Sequence, residues 1–181
     1  MGSSPGTLYY THPFVRQLYC AFVWKASNPY QYNQGSNNKL VYLAWNQGAS
    51  SFIAFEMYGS GTPAEFAIIP VRWPVDQVYR AGTGAGTTKT PIVLGTWYRI
   101  EIYVKYATTG SSGDGIVKWW ASSWNGSGWN APVLQGNLTT IQSPNNSGFD
   151  FFEVYPGFGG SGVNKAQLDF MWYDHVHLSR P

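Results

Sequence analysis

The stretch Trp97-Tyr98-Arg99-Ile100-Glu101-Ile102-Tyr103-Val104-Lys105-Tyr106 decides the fold, because apolar and polar side chains alternate along it. Successive side chains of a β-strand point to opposite faces of its sheet. The face predicted to lie in the core carries Tyr98, Ile100, Ile102, Val104 and Tyr106. The face predicted to meet solvent carries Trp97, Arg99, Glu101, Tyr103 and Lys105.

A turn rich in glycine and serine, residues 110–115, returns the chain into a second alternating stretch, Ile116 to Trp124. In that stretch the core face continues through Val117, Trp119 and Ala121. The polar and aromatic face continues through Lys118, Trp120, Ser122 and Trp124. The two strands therefore predict a hairpin with one solvent-facing, aromatic-rich surface, which we take as the centre of a binding surface.

Apolar and polar residues alternate in the same way along much of the chain, and no long segment has the i, i+3, i+4, i+7 spacing of an amphipathic helix. Glycine, proline, asparagine and aspartate separate the runs, as in tight turns. The predicted strands lie near Gln17 to Lys25, Lys39 to Trp45, Ser51 to Tyr58, Ala64 to Ile69, Thr96 to Tyr106, Ile116 to Trp124, Gly148 to Tyr155 and Ala166 to Leu178. This pattern predicts an all-β protein.

The length of 181 residues predicts a single domain over 1–181, in which residues 1–6 are interpreted as a tag or a disordered start. Only 11% of residues are charged and the net charge of +2 is spread along the chain, so neither nucleic acid nor a membrane is an expected partner. The start lacks the pattern of a signal peptide. The single cysteine, Cys20, lies in an apolar run and is predicted to be buried.

Several runs, taken in order, resemble the concanavalin A-like lectin/glucanase superfamily, especially its heparinase-like and laminin-G-like branches. These runs are Leu18 to Lys25, Asn38 to Leu43, Gly95 to Glu101, Val104-Lys105, Asp114-Gly115 and Trp172 to Ser179. The resemblance implies a two-sheet antiparallel jelly-roll sandwich. That fold carries both binding modules and enzymes, so it does not by itself fix a function.

Glycoside hydrolysis needs two carboxyl groups across the scissile bond. The run Gly148 to Glu153 is similar to the catalytic strand of laminarinase-type hydrolases, but Gly148 stands where that family has its nucleophile. Asp150 and Glu153 are therefore interpreted as edge or turn carboxylates. We predict no catalytic residue from this motif.

A polysaccharide lyase needs a base beside a uronate carboxylate and a group that neutralises the carboxylate. His175, His177, Tyr173, Tyr103, Arg99 and Lys105 are of suitable types, with the two histidines on one strand face. The strand motifs of alginate-lyase-like enzymes do not appear as such.

The glycine-rich loop 82–90 does not have the lysine spacing of a phosphate-binding loop. No essential cofactor is expected, with calcium bound by aspartates such as Asp114 as the option left open.

The favoured function is non-catalytic binding of a polysaccharide by a lectin-like module, because exposed aromatic rings and planar polar groups suit sugar rings. A phage, virion or surface structural protein is one alternative, and a polysaccharide lyase or glycoside hydrolase is the second. A homo-oligomer is left open, and an extracellular location or a virion surface is expected. The predicted ligand-binding residues are Arg99, Glu101, Tyr103, Lys118, Trp120, Trp124 and Tyr155, with Trp129, Trp45, Asn125 and Gln135 as further candidates.

Overall fold

A computed structural model describes residues 7–33, 37–44, 52–59, 64–71, 76–143, 148–158 and 168–180. Within these ranges every regular element is a β-strand. The strands are β1 Leu8–Val15, β2 Gln17–Ala26, β3 Asn37–Ala44, β4 Phe52–Tyr58, β5 Glu65–Val71, β6 Tyr79–Arg80, β7 Tyr98–Lys105, β8 Gly115–Ser123, β9 Val133–Ile141, β10 Phe149–Val154 and β11 Met171–Ser179. No helix long and apolar enough to cross a membrane occurs in these ranges.

The strands form two antiparallel sheets, which confirms the predicted all-β sandwich. One sheet has six strands in the order β1-β10-β3-β4-β5-β6, and the other has five in the order β11-β2-β7-β8-β9. Aromatic side chains from the two sheets contact each other in the core. The ring centroids of Phe22 in β2 and Phe55 in β4 are 6.2 Å apart, and those of Trp24 in β2 and Phe66 in β5 are 5.6 Å apart. Such edge-to-face contacts fill the core between the sheets. The buried Cys20 belongs to the same core, as expected.

The register of the β7–β8 hairpin follows the alternation in the sequence. Ile100 and Ile102 are fully buried, while Glu101 pairs with Trp120 and Tyr103 pairs with Lys118 on the outward face. This outward placement agrees with the period-two pattern, because a register shift of one residue would have turned these side chains inward.

Strand β9 lies outside the predicted strands, and a glycine explains why. Gly136 interrupts the β pattern of the sequence, yet in the structure it makes room for Trp119. A Cβ at position 136 would lie 1.8 Å from Cζ3 of that ring. Sequence reasoning also missed β1 and β6, since β1 shows no buried alternation and β6 has only two residues.

Two other interpretations are corrected. Asp150 and Glu153 were expected at an edge or turn, but β10 is an inner strand that pairs with β1 on one side and β3 on the other. The last strand begins at Met171, while Ala166, the expected start, lies outside the described residues together with Trp45 and Ser51.

Bulges in β11 and β3 change which side chains share a face. In β11 the register shifts between Asp174 and His177, so these two residues pair with Val23 and Ala21 of β2. The intervening His175 has φ of 49°, and the two histidines are therefore not related by simple strand alternation. A bulge commonly redirects a side chain in this way.

Candidate functional site

Six of the seven predicted ligand-binding residues lie together on the outward face of the five-stranded sheet. They are Arg99, Glu101 and Tyr103 of β7, Lys118 and Trp120 of β8, and Trp124 just after β8. Tyr155 does not join them, because it follows β10 and lies on the six-stranded sheet. The predicted grouping is therefore wrong for this one residue, whose tertiary partners come from β3.

The polar groups of this face are engaged with one another. The Tyr19 hydroxyl donates to Glu101 Oε2 at 2.6 Å, and Arg99 Nε lies 3.2 Å from Glu101 Oε1. The Tyr103 hydroxyl donates to Gln17 Oε1 at 3.0 Å. Partial burial and the bonded carboxylate raise the pKa of Tyr19 to about 12. These hydrogen bonds and this ion pair form a structural network on the outward face.

At one end of the same face lies a groove of about 600 Å³, which we call the tryptophan groove. It is lined by Val23, Trp97, Arg99, Trp124, Trp129, Asp174 and His175. Two further polar candidates do not contribute to it. Gln135 is 1% exposed and donates to Thr90 Oγ1, and Asn125 accepts hydrogen bonds within its own turn.

The six-stranded sheet has an unusual outward face, because the middle of β4 and part of β5 are buried on both sides. Four residues that point away from the core there are at most 5% exposed, namely Ala54, Glu56, Glu65 and Ala67, whereas Phe52, Tyr58, Ile69 and Val71 on the same face are partly buried. On an open sheet face such side chains would be solvated. The two glutamates are therefore shielded from solvent, and we call this buried part of the outward face, around Glu56 and Glu65, the recess. Buried ionisable groups are common at functional sites.

Four residues form the centre of this recess, which we call the lysine–tyrosine cluster: Lys39, Tyr42, Glu56 and Tyr155. A bulge in β3 between Lys39 and Val41 lets Lys39 pair with Glu56 and Tyr42 pair with Ala54, both on the outward face. The rings of Tyr42 and Tyr155 stack at 4.8 Å with an interplanar angle of 14°. Lys39 Nζ lies 5.6 Å from the first ring centroid and 5.7 Å from the second.

Backbone hydrogen bonds hold the segment after β10 against β3. The Tyr155 amide donates to Leu40 O at 3.0 Å, and the Lys39 amide donates to Gly157 O at 2.8 Å. Gly157 leaves space for the cluster, since a Cβ there would lie 2.5 Å from Tyr155 Cε1 and 3.3 Å from Lys39 Cδ. The relative positions of the lysine and the two phenols are thus fixed by the fold.

Burial sets the protonation states within the cluster. Burial raises the pKa of Glu56 from 4.5 to about 7, although the positive charge of Lys39 acts to lower it. Burial, Tyr155 and the acids Glu56 and Glu153 also raise the pKa of Tyr42 above its usual value. At neutral pH the glutamate is therefore partly ionised while the Tyr42 phenol keeps its proton, which is a combination suited to proton transfer.

Positive charge flanks the recess. Lys39, Glu56, Ala67 and Arg80 form one row across β3, β4, β5 and β6. Glu65 of the same face lies 2.9 Å from Lys89 Nζ and 3.6 Å from Arg80 Nη1. The side chains of these two cations are more than half exposed, so they remain accessible to an anionic ligand.

Sequence reasoning missed Lys39, Tyr42 and Glu56. One signal was present, because Glu56 is the single charged residue in the apolar run Phe52 to Met57. The bulge that brings Lys39 and Tyr42 to one face leaves no trace in the periodicity.

As for metals, the described residues contain no group of three His, Cys, Asp or Glu side chains able to hold an ion. The oxygens of Asp114 instead accept hydrogen bonds from Thr108 and Ser112.

The sequence matches no family model and no curated protein. Among solved structures, the fold is similar to the marine PL-14 alginate lyase from Aplysia kurodai, with TM-score 0.60, 12% identity, and coverage of 92% of this chain and 70% of that one. It is also similar to a mutant of alginate lyase Aly36B in complex with alginate trisaccharide, with TM-score 0.61, 14% identity, and coverage of 97% and 75%.

At these identities the likeness shows the fold alone, a sandwich of two antiparallel sheets. It also corrects the expectation of a lectin-like module without catalysis, because these structural neighbours are polysaccharide lyases. The enzyme alternative, a polysaccharide lyase, agrees better with them than the binding module did.

Proposed function

We propose that the chain is a lyase that cleaves a uronate-containing polysaccharide by β-elimination at the lysine–tyrosine cluster. One observation carries the proposal: Glu56 is 1% exposed on a sheet face that points away from the core, opposite Lys39 and in the same recess as Tyr42. A buried acid with a pKa near 7 beside a cation and a protonated phenol is a set of groups suited to acid–base chemistry.

The reaction needs three contributions from the protein. A cation stabilises the uronate carboxylate while a base removes the proton from C5. The electrons of that C–H bond form the C4=C5 double bond, and the bond from C4 to the glycosidic oxygen breaks. An acid then donates a proton to the departing oxygen.

The cluster supplies one group for each contribution. The Lys39 ammonium pairs with the carboxylate, and partly ionised Glu56, which lies opposite Lys39 on the same face, accepts the C5 proton. Tyr42 keeps its proton at neutral pH and donates it to the leaving oxygen. Tyr155 stacks on Tyr42 and holds its ring in position. Arg80 and Lys89 attract further carboxylates of the polymer.

The comparison with solved structures supports the choice of substrate class. Three structures with this fold are alginate lyases, and one holds an alginate trisaccharide. Alginate is a polyuronate, so each sugar ring carries the carboxylate that the proposed chemistry requires.

The test is to incubate the protein with alginate and other uronate polymers and to follow the ultraviolet absorbance of the C4=C5 double bond. Lys39→Ala and Tyr42→Phe should each reduce turnover at least about 100-fold, the usual scale for losing a proton-transfer or charge-stabilising group. Lys118→Ala and Tyr103→Phe are matched controls on the opposite sheet and should retain activity. The absence of unsaturated product from every uronate polymer, or equal losses in both pairs of variants, would overturn the proposal.

A further inference from the structure

We propose that the tryptophan groove is a second carbohydrate site, built for a neutral pyranose ring. It lies on the outward face of the five-stranded sheet, on the opposite side of the sandwich from the lysine–tyrosine cluster. The groove shares no residue with the lysine–tyrosine cluster, so its test is separate from the test of the proposed active site.

The first observation is that a hydrogen-bonded hairpin holds two large rings partly exposed. Trp124 and Trp129 form a β-bridge, with ring centroids 5.4 Å apart at 72°, and are 38% and 36% exposed. Asn125 Oδ1 accepts from the amides of Ser127 and Gly128 at 3.0 and 2.9 Å. Rings that are already fixed lose little conformational entropy when they stack on a ligand.

The hairpin is anchored to the sheet at its base. The Trp124 amide donates to Trp97 O at 2.9 Å, and the Asn130 amide donates to Ser123 O at 2.9 Å. The Arg99 guanidinium lies 6.0 Å from the centre of the Trp129 ring. The apolar faces of the rings and a planar set of hydrogen-bond donors are thus presented on one side of the groove.

The opposite wall is formed by the bulge of β11. His175 adopts φ of 49°, a left-handed conformation that is uncommon for residues other than glycine. Its amide donates to Asp174 Oδ1 at 2.8 Å, and its Nδ1 lies 2.9 Å from Asp174 Oδ2. Strain of this kind persists where the surrounding structure enforces it, often at binding sites. The bulge thus places an imidazole and a carboxylate in the lining of the groove.

Charge selects the type of sugar. Arg99 is paired with Glu101, and Asp174 lies against His175, so the cation at the floor is already compensated and a carboxylate lies at the wall. A uronate would bring a further negative charge near Asp174, which costs energy. A neutral pyranose can stack its apolar face on the tryptophans and share its hydroxyls between guanidinium and carboxylate.

The experiment is a titration of intrinsic tryptophan fluorescence with cello-, manno- and xylo-oligosaccharides, and with alginate oligosaccharides in parallel. We expect saturable binding of at least one neutral series by the parent protein. In Lys39→Ala, which lacks the cation proposed to bind uronate at the cluster, we expect at least about tenfold weaker binding of the uronate series than of the neutral one. Trp129→Ala and Trp124→Ala should weaken neutral binding at least about tenfold. Trp120→Ala, on the same face but outside the groove, is the matched control and should bind like the parent.

Circular dichroism of each variant shows whether the fold is kept, and Arg99→Lys provides a milder probe of the groove. No binding of any neutral series, a preference of Lys39→Ala for alginate oligosaccharides, or equal losses in Trp120→Ala and Trp129→Ala would each overturn the inference. Loss of turnover in Lys39→Ala with retained neutral binding would separate this site from the proposed active site.

Discussion

Glu56 pairs with Lys39 across the β3–β4 ladder, on the side of the six-stranded sheet that faces away from the core, and only 1% of its surface is exposed. Desolvation by burial outweighs the attraction of the lysine and raises the pKa of the acid to about 7. The pair therefore differs from a surface ion pair, in which both groups remain ionised and contribute little. Two predictions follow from this difference.

The first concerns stability and pH. The pKa of Glu56 is about 7 in the folded protein and near 4.5 when the chain is unfolded, so the folded state binds more protons between these values. The free energy of unfolding should therefore fall as pH rises from about 4.5 to 7, by about 3 kcal/mol, and then level off. Urea unfolding at a series of pH values measures this. Glu56→Gln should remove most of the dependence, and parallel curves for the two proteins would contradict the assignment.

The second concerns turnover and pH. Since the proposed mechanism needs ionised Glu56, kcat on a uronate polymer should rise with an apparent pKa near 7. Glu56→Gln should lower kcat at least about 100-fold, because the amide accepts no proton. A profile that is flat from pH 5 to 8, measured on parent enzyme by product absorbance, would exclude Glu56 as the base.

A glycine substitution tests how the cluster is positioned. The Cβ of Gly157→Ala would lie 2.5 Å from Tyr155 Cε1, so the partly exposed ring must shift from its present stacked position against Tyr42. We expect at least about tenfold lower kcat with a small change in thermal midpoint. Gly128→Ala is the matched control, because no atom lies within 4 Å of its added Cβ. Full activity in Gly157→Ala would show that the stacking of the two phenols has no part in turnover.

Core packing gives the fourth prediction. Ile100 and Ile102 are fully buried between the sheets, so truncating either to alanine should cost about 2–5 kcal/mol through lost transfer energy and a residual cavity. Lys105→Ala, at the end of the outward face of the same strand, should change stability by less than about 0.5 kcal/mol. Chemical denaturation measures both. Similar losses at the two kinds of position would mean that the register of β7 is shifted by one residue.

The strands that could be predicted are those whose side chains alternate between core and solvent. In β7 and β8 local alternation and tertiary burial agree except at Ser122, which was predicted to face solvent but is 1% exposed, so the period-two pattern located both strands and most of their outward residues. Gly136 weakens the β pattern of β9, and only the position of the Trp119 ring in the folded core explains why a glycine is placed there. A local pattern carries no information about the size of a neighbour that is distant in sequence.

The candidate site was predicted less well than the fold. Sequence reasoning grouped Tyr155 with residues of β7 and β8, whereas the fold stacks it on Tyr42 of the other sheet. Strand alternation tells which residues share a face of one strand, but not which sheet that strand joins. The choice of sheet depends on pairing between β10 and β3, whose residues are more than 100 positions apart in the chain.

The sequence by itself determined the all-β class, the hairpin of β7 and β8 and the inward side of its apolar residues, because each follows from the two-residue period of a strand. Only the tertiary structure decided that Glu56 is buried on an outward face. It also decided that a bulge turns Lys39 and Tyr42 to the same side, and that Tyr155 lies against them. Burial and long-range pairing depend on the whole chain, and they set both the raised pKa of Glu56 and the position of the groups around it.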